Sequence, residues 1–132
     1  MDIQQLAKKK VLLLDGAMGT LIQKKDLKES DFRGEVFGDL PYDLKGVNDL
    51  LCITRPDVVK EIYSSYLDAG ADIITTNSFN ANEFSLNEYG LENYTYKINH
   101  AAARLAKESV QTYSTKEHPR FVAGTIGPTN KT

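Results

Sequence analysis

An acidic residue followed by a glycine-bearing turn is the feature of this sequence best suited to ligand binding. Asp15 comes directly after the apolar run VLLL (11–14), and Gly16 and Gly19 lie in the turn that follows. A continuous apolar run between turn signals is typical of a strand buried on both faces of a parallel sheet. Ligands bind at the carboxyl ends of such strands, where glycine lets the backbone approach them closely. The residues alone leave open whether Asp15 binds a ligand or caps an ordinary turn.

A second polar segment ends another predicted strand, over residues 71–77 (ADIITTN). Four consecutive residues in it, 73–76, are β-branched, which favours an extended conformation. Side chains alternate along a strand, so Asn77 shares a face with Thr75. If that face points into a barrel, Asn77 lies at the mouth of the barrel.

Thiol and metal chemistry have little basis in this composition. Cys52 is the single cysteine, so no internal disulfide can form, and its apolar neighbours (50–53, LLCI) indicate a small buried hydrophobe. We expect His100, which lies off the apolar side of its helix, and His118, in the polar linker 114–119, to be exposed. One cysteine and two separated histidines do not make a zinc site, so no metal ligand is predicted within this chain.

The overall composition excludes several classes of partner. The 132 residues include 16 basic and 18 acidic side chains, a formal net charge of −2, which gives no electrostatic basis for binding nucleic acid. No apolar run approaches the roughly 20 residues of a membrane span. Residues 1–10 lack the apolar core of a signal peptide. The expected compartment is therefore the reducing cytoplasm, with no membrane contact.

Helical segments separate the predicted strands. The strongest covers residues 54–70, with Thr54 as the capping hydroxyl, Pro56 in the first turn and Gly70 at the end. Its apolar residues recur at helical spacing, at positions 58, 59, 62, 63, 66 and 67. Residues 1–10 are predicted to form a short polar helix or an arm, and further helices are predicted over residues 20–25, 83–89 and 94–113.

The segment 26–53 shows neither a helical nor a strand period and contains three glycines and a proline. A stretch of this length without regular structure is uncommon in a compact domain and is more often functional than idle. Two interpretations remain open: a loop that folds over a site, or an insertion packed on the surface of the domain.

With a third strand predicted over residues 120–127, the order is strand, helix, strand, helix, strand. This alternation indicates parallel strands in an α/β fold, either an open doubly wound sheet or a (β/α)8 barrel. The turn after the first strand lacks the G-x-G-x-x-G pattern of dinucleotide-binding sheets, and Lys131-Thr132 follows Asn130 instead of the glycine of a phosphate-binding loop.

Several motifs together resemble one family. The chain resembles the start of the homocysteine-binding domain of the cobalamin-dependent methionine synthases, and more broadly the homocysteine S-methyltransferase family. The matching segments, in chain order, are LLDGAMGT (13–20), DFRGE (31–35), LKG (44–46), NDLL (48–51), AGADII (69–74), TNSFN (76–80) and GPTNKT (127–132). The resemblance covers nearly the whole chain, and DFRGE and GPTNKT favour the cobalamin-dependent members.

The resemblance implies a fold and a reaction. Residues 1–132 would be the amino-terminal portion of a (β/α)8 TIM-type barrel, truncated after its first three βα units. The complete enzyme transfers a methyl group from methylcobalamin, replenished from methyltetrahydrofolate, to the zinc-bound thiolate of homocysteine, giving methionine. The three zinc cysteines would follow later strands, and the cobalamin and folate modules also lie outside this chain. The chain alone is then expected to be inactive.

The resemblance also implies the residues that contact homocysteine, at the mouth of the barrel. After the first strand, the substrate-binding positions are Asp15, Gly16, Ala17, Met18 and Gly19; after the second strand, they are Asn77, Phe79 and Asn80. A carboxylate pairs with an ammonium group, and turn amides can bind a carboxylate, so these groups suit the amino-acid end of homocysteine.

One departure and two alternatives accompany this interpretation. Relatives of this type commonly carry Glu at the position of Thr75, which leaves the role of Thr75 open. The methyl donor could differ, as in other homocysteine S-methyltransferases. A haloacid-dehalogenase-like phosphohydrolase is the alternative from another class, but Leu13 occupies the place of its nucleophilic carboxylate.

Overall fold

The computed structural model describes residues 1–131 as helices arranged around a small parallel sheet. Thr132, which ends the GPTNKT motif, lies outside the described residues. The α-helices are α1 (Ile3–Ala7), α2 (Gly19–Gln23), α3 (Glu29–Arg33), α4 (Leu51–Thr54), α5 (Pro56–Asp68), α6 (Glu83–Asn87) and α7 (Thr95–Tyr113). The 3₁₀ turns are Asn48–Leu50 and Glu92–Tyr94, and the strands are β1 (Ile73–Thr75) and β2 (Phe121–Ala123). Within residues 1–131, no helix has both the length and the apolar character needed to cross a membrane.

The sheet pairs β1 with β2 in parallel, with Ile74 opposite Val122. On the other side of β1, the strand predicted over residues 11–14 is reduced to one parallel bridge between Leu14 and Ile73. The predicted second and third strands are both present but shorter than expected.

The expectation that the first strand is buried on both faces is wrong for the residues described. Val11 is 84% exposed, Leu13 is 55% exposed and Leu14 is 59% exposed. A parallel strand becomes buried only when helices or further strands cover it, and within residues 1–131 this segment pairs only with β1.

The helix predicted over residues 54–70 is confirmed, but its start differs. Thr54 is not the capping residue, because it ends α4 and its hydroxyl donates to the carbonyl of Leu50 at 3.2 Å. Arg55 lies between the two helices and has a non-helical backbone conformation, with φ of −139° and ψ of 61°. The residue before a proline avoids the helical conformation, so α5 begins at Pro56.

The other predicted helices agree with the structure to within a few residues. The segment 26–53, for which no helix was predicted, differs from expectation. That segment contains α3, a 3₁₀ turn and α4, so the expectation of no regular structure is wrong. Helices of only four or five residues repeat too few times to show a period in the sequence. Their apolar side chains are nevertheless buried, among them Phe32, Leu50 and Leu51.

The hydrophobic core lies between the helices and one face of the sheet. Helices α5 and α7 contact each other, and both contact β1. Their buried side chains include Val59, Ile62, Leu67, Ile98, Ala102, Leu105 and Ala106. Cys52 is 3% exposed, which confirms it as a small buried side chain, and His100 is exposed as expected.

A buried carboxylate ties three segments together at the amino end of β1. The side chain of Asp72 is 0% exposed. Its Oδ1 accepts hydrogen bonds from Lys10 Nζ at 2.6 Å and His118 Nε2 at 2.9 Å, and its Oδ2 accepts from the Leu13 amide at 2.8 Å. Its backbone carbonyl accepts from the Phe121 amide at 2.8 Å. The expectation that His118 is merely exposed is therefore wrong.

The hydrogen bonds of His118 define its tautomer. Arg120 Nη2 lies 3.1 Å from Nδ1 of the imidazole, and a guanidinium nitrogen can only donate. Nδ1 is therefore the acceptor, and Nε2 carries the proton that is donated to Asp72.

We expect the Asp72 contacts to make the fold sensitive to acid. Burial by itself raises the pKa of Asp72, but the bonds from Lys10, the Leu13 amide and His118 outweigh it and hold the pKa at about 2. The ordinary value is 3.8, so the unfolded chain binds more protons than the folded chain between these values. This contribution to stability is complete above about pH 4 and is lost as the pH falls through about 2.

Asp72→Asn should lower the free energy of unfolding at pH 7 by about 1.5–3 kcal/mol, the usual contribution of hydrogen bonds to a charged group. The loss should shrink below pH 4, where the carboxylate of the parent protein also protonates. Urea unfolding at several pH values measures both effects, with exposed Asp68→Asn as the control. Equal stability of Asp72→Asn and the parent at pH 7 would contradict the assignment.

Candidate functional site

A cleft of about 260 Å³ lies at the carboxyl end of the strands. The lining residues come from the turn after the first strand, the end of β1 and the segment after β2: Gly16, Met18, Gly19, Thr75, Thr76, Asn77, Ser78, Phe79 and Thr125. Five of the eight predicted site residues are therefore brought together, from segments about 60 residues apart in the chain. Of the other three, Asp15 contacts the lining residue Thr75, whereas Ala17 and Asn80 lie outside the lining.

Asp15 is a partly buried acid whose hydrogen bonds come from Thr75. Asp15 Oδ2 accepts from the Thr75 amide at 3.0 Å, and the Thr75 hydroxyl lies 3.0 Å from Oδ1 and 3.2 Å from Oδ2. Desolvation raises the pKa of Asp15 above its ordinary value, and the bonds from Thr75 offset this only in part. Among residues 1–131 no lysine, arginine or histidine forms an ion pair with Asp15. The carboxylate is thus able to pair with a cationic ligand.

Tyr66 of α5 holds the turn that follows Asp15. Its hydroxyl donates to the carbonyl of Ala17 at 2.6 Å. The same ring lies against Gly16, where an added Cβ would come within 3.0 Å of the Tyr66 hydroxyl. A larger residue at Gly16 would push against this ring, so the glycine allows helix and turn to lie in contact.

Tyr63, one turn earlier in α5, holds the other side of the cleft. Its hydroxyl donates to the carbonyl of Thr75 at 2.9 Å and accepts from the amide of Asn77 at 3.0 Å. The side-chain amide of Asn77 donates to the carbonyl of Asn48 at 2.9 Å. Asn77 is consequently 8% exposed and fixed in orientation, while Phe79 is 55% exposed.

Comparison with known proteins identifies the family. The profile of the homocysteine S-methyltransferase family matches residues 12–132. The chain belongs to the homocysteine S-methyltransferase family. The phosphohydrolase alternative is left without support.

Solved structures of similar fold include the homocysteine methyltransferase MmuM from Escherichia coli. Its metallated form has 22% sequence identity and a TM-score of 0.73, over 96% of this chain and 41% of that chain. Its oxidized form has 23% identity and a TM-score of 0.74, over 96% of this chain and 40% of that chain. The chain therefore spans about two fifths of the length of these structures and shares the fold of that part.

The residues described do not form a metal site of their own. Among residues 1–131 no three His, Cys, Asp or Glu side chains are grouped closely enough to hold a metal ion. Burial also raises the pKa of the Cys52 thiol to about 12, so at neutral pH it remains protonated and is a poor metal ligand.

A hydrogen-bonded network of Thr76, Ser78 and Thr125 in the wall of the cleft was not predicted from the sequence. The hydroxyls of Thr76 and Ser78 lie 2.7 Å apart, and Ser78 donates to the carbonyl of Thr125 at 2.9 Å. The Thr125 amide donates back to the Thr76 hydroxyl at 2.8 Å. The hydroxyl residues clustered at the ends of two predicted strands, 71–77 and 120–127, were the available signal.

A buried acid near the end of the segment 26–53 holds the loop at Asn80 in place. Asp49 is 3% exposed and accepts from the Asn80 amide at 3.0 Å, and burial raises its pKa. Together with the bond between Asn48 and Asn77, this contact places the end of the segment beside the site.

Within the remainder of the segment, the ion pair of Arg33 and Glu29 holds α3 and the residues that follow it together. Arg33 donates to the carbonyls of Leu40 and Tyr42 and pairs with Glu29, which also accepts from the Leu44 amide. These contacts hold the rest of the segment together, while its end lies beside the cleft.

Gly127 packs so closely against the loop at Phe79 that no side chain fits. A Cβ at this position would lie 1.8 Å from the carbonyl oxygen of Phe79. At Gly124, by contrast, an added Cβ would meet nothing within 4 Å. The glycine that begins GPTNKT is therefore needed for contact between the segments that follow β1 and β2.

Gly127→Ala should destabilise the protein by about 1–3 kcal/mol, the usual cost of overpacking, because the clash is with backbone rather than a flexible side chain. Thermal unfolding of this variant beside Gly124→Ala measures the effect, and Gly124→Ala should stay close to the parent. Equal melting temperatures for the two variants would show that the close contact does not exist.

Proposed function

We propose that this chain is the amino-terminal part of the homocysteine-binding domain of a cobalamin-dependent methionine synthase, comprising the first three βα units of a (β/α)8 barrel. The observation that carries the proposal is Asp15. It is a partly desolvated acid beside a cleft at the carboxyl end of parallel strands, in a chain of the homocysteine S-methyltransferase family. Active sites of barrel enzymes lie at this end of the strands.

In this proposal Asp15 pairs with the ammonium group of homocysteine. The amides of the turn from Gly16 to Gly19 bind the substrate carboxylate, and Tyr66 keeps that turn in place through the Ala17 carbonyl. A charged hydrogen bond inside a partly desolvated site is stronger than the same bond in water.

The residues after β1 complete the wall of the cleft. Phe79 offers an exposed apolar surface beside the substrate chain, and Asn77 supplies a fixed polar group. Asn80 acts through its backbone, because its amide is bound to Asp49 and holds the loop.

The proposal assigns zinc to cysteines contributed by the rest of the barrel. When bound, zinc lowers the pKa of the substrate thiol and makes thiolate available near neutral pH. The part played by residues 1–132 is to orient the amino-acid end of homocysteine, so that its sulfur points away from Asp15.

The methyl donor is tested directly in a protein that carries the complete domain. The DFRGE and GPTNKT motifs support methylcobalamin as donor. Methionine formation from homocysteine and methylcobalamin is the expected result. Product with S-adenosylmethionine but none with methylcobalamin would assign the chain to the family members with a different donor.

Asp15→Asn should weaken homocysteine binding roughly 10- to 150-fold, because a hydrogen bond to a charged group contributes about 1.5–3 kcal/mol. The change keeps the size of the side chain and removes its charge. Zinc content should stay the same, since no metal ligand is proposed near Asp15. Isothermal titration of the folded, zinc-loaded domain with L-homocysteine measures the effect, with exposed Asp39→Asn as control. Normal affinity in a less stable variant would identify Asp15 as a turn cap only.

A further inference from the structure

Thr75 donates two hydrogen bonds to the Asp15 carboxylate, one from its backbone amide and one from its hydroxyl. It is the last residue of β1, and its amide and hydroxyl donate to the two oxygens of Asp15 over distances of 3.0 to 3.2 Å. Thr75 is also a lining residue of the cleft. Sequence analysis left its role open.

We propose that Thr75 is a positioning residue, whose hydroxyl orients the Asp15 carboxylate toward the cleft and keeps it ionised for the ammonium group of the substrate. The inference rests on the proposed function of Asp15 and adds a specific pH dependence to it. Thr75 itself need not touch the substrate.

The geometry explains why a hydroxyl is needed here. A carboxylate accepts about four hydrogen bonds in its plane, and the amide of Thr75 restrains only Oδ2. The hydroxyl reaches both oxygens and therefore prevents the carboxylate from rotating. The two neutral donors of Thr75 still leave the carboxylate able to accept a hydrogen bond from a cation.

The hydroxyl also opposes the effect of burial on ionisation. Desolvation raises the pKa of Asp15, and the amide and hydroxyl of Thr75 lower it. Loss of the hydroxyl should therefore raise the pKa of Asp15 further, so that more of the protein carries a neutral Asp15 in mildly acidic solution. Neutral Asp15 no longer attracts an ammonium group.

Among residues 1–131, few titratable groups near Asp15 change their charge in the pH range of the binding measurements. Tyr63 and Tyr66 of α5 lie on the helix side of the Asp15 turn. Burial raises the pKa of Tyr63 above that of an ordinary tyrosine, so it stays neutral at physiological pH, and the Tyr66 hydroxyl donates to the Ala17 carbonyl. From the strand side the facing residue is Thr75, which carries no charge. Among residues 1–131 no basic side chain forms an ion pair with Asp15.

The test uses a protein that carries the complete zinc-loaded domain and L-homocysteine as the probe. Thr75→Val removes the hydroxyl at nearly constant size, Thr75→Ala removes it in a second way, and Thr75→Ser retains it. Thr112→Val, at an exposed position late in α7, is the matched control for a threonine-to-valine change. Calorimetric affinities are measured from pH 8 down to the lowest pH at which every variant keeps its zinc, with zinc content checked at each pH.

The decisive quantity is the ratio of dissociation constants, variant over parent, at each pH. Titration of the homocysteine thiol affects both proteins equally and cancels in this ratio. For Thr75→Val and Thr75→Ala the ratio should rise as the pH falls, to about tenfold, the equivalent of one weak hydrogen bond to a charged group. Thr75→Ser and Thr112→Val should remain near the parent at every pH.

Asp15→Asn separates failure of the inference from failure of the proposed function. If Asp15→Asn binds homocysteine normally, the substrate role of Asp15 is wrong and the role of Thr75 falls with it. If Asp15→Asn loses affinity while the Thr75 ratio is flat with pH, or Thr75→Ser does not restore binding, only the role of Thr75 is wrong. Adding Thr75→Val to Asp15→Asn should cause no further loss, because no carboxylate remains to be oriented.

Discussion

The buried carboxylate of Asp72 is the constraint on which the arrangement of the strands depends. A charged group without exposure to water must be neutralised or hydrogen-bonded, and Asp72 obtains its partners from two distant parts of the chain. Lys10 and Leu13 lie about 60 residues before it, and His118 lies 46 residues after it. By satisfying Asp72, these residues align the segment before Asp15 and the segment before β2 on the two sides of β1.

The cleft at the opposite end depends on a second set of contacts, made by one helix. Tyr63 and Tyr66 lie one turn apart on α5 and reach the two segments that form the cleft. Because α5 also packs against α7 and β1 in the core, the positions of the Asp15 turn and the Asn77 loop are set by the same rigid element. Site geometry is thus determined by core packing as well as by the loops themselves.

The polar groups around the cleft differ in how far their bonding is already satisfied. Thr76, Ser78 and Thr125 bond to one another and serve to join the segments that follow β1 and β2. Asp15 retains accepting capacity and a raised pKa, the state expected of a group that is stabilised by a ligand rather than by the fold. This difference separates the supporting residues from the proposed binding residue.

Features that depend on neighbours within a few residues could be predicted from the amino-acid sequence. The extent of α7, the start of α5 to within two residues and the burial of Cys52 were all predictable, because apolar spacing, proline and glycine act locally. The family resemblance was likewise contained in short motifs, and the family match over residues 12–132 confirms it.

Which polar groups come into contact depends on tertiary packing. Nothing in the local pattern shows that His118 reaches Asp72, that Asp49 holds the loop at Asn80, or that Thr75 binds Asp15. These partners are 31 to 60 residues apart, and a hydrogen bond requires a position accurate to a few tenths of an ångström, which only the packed core provides. For the same reason the extent of the first strand could not be read from its apolar run, since pairing and burial depend on what lies beside it.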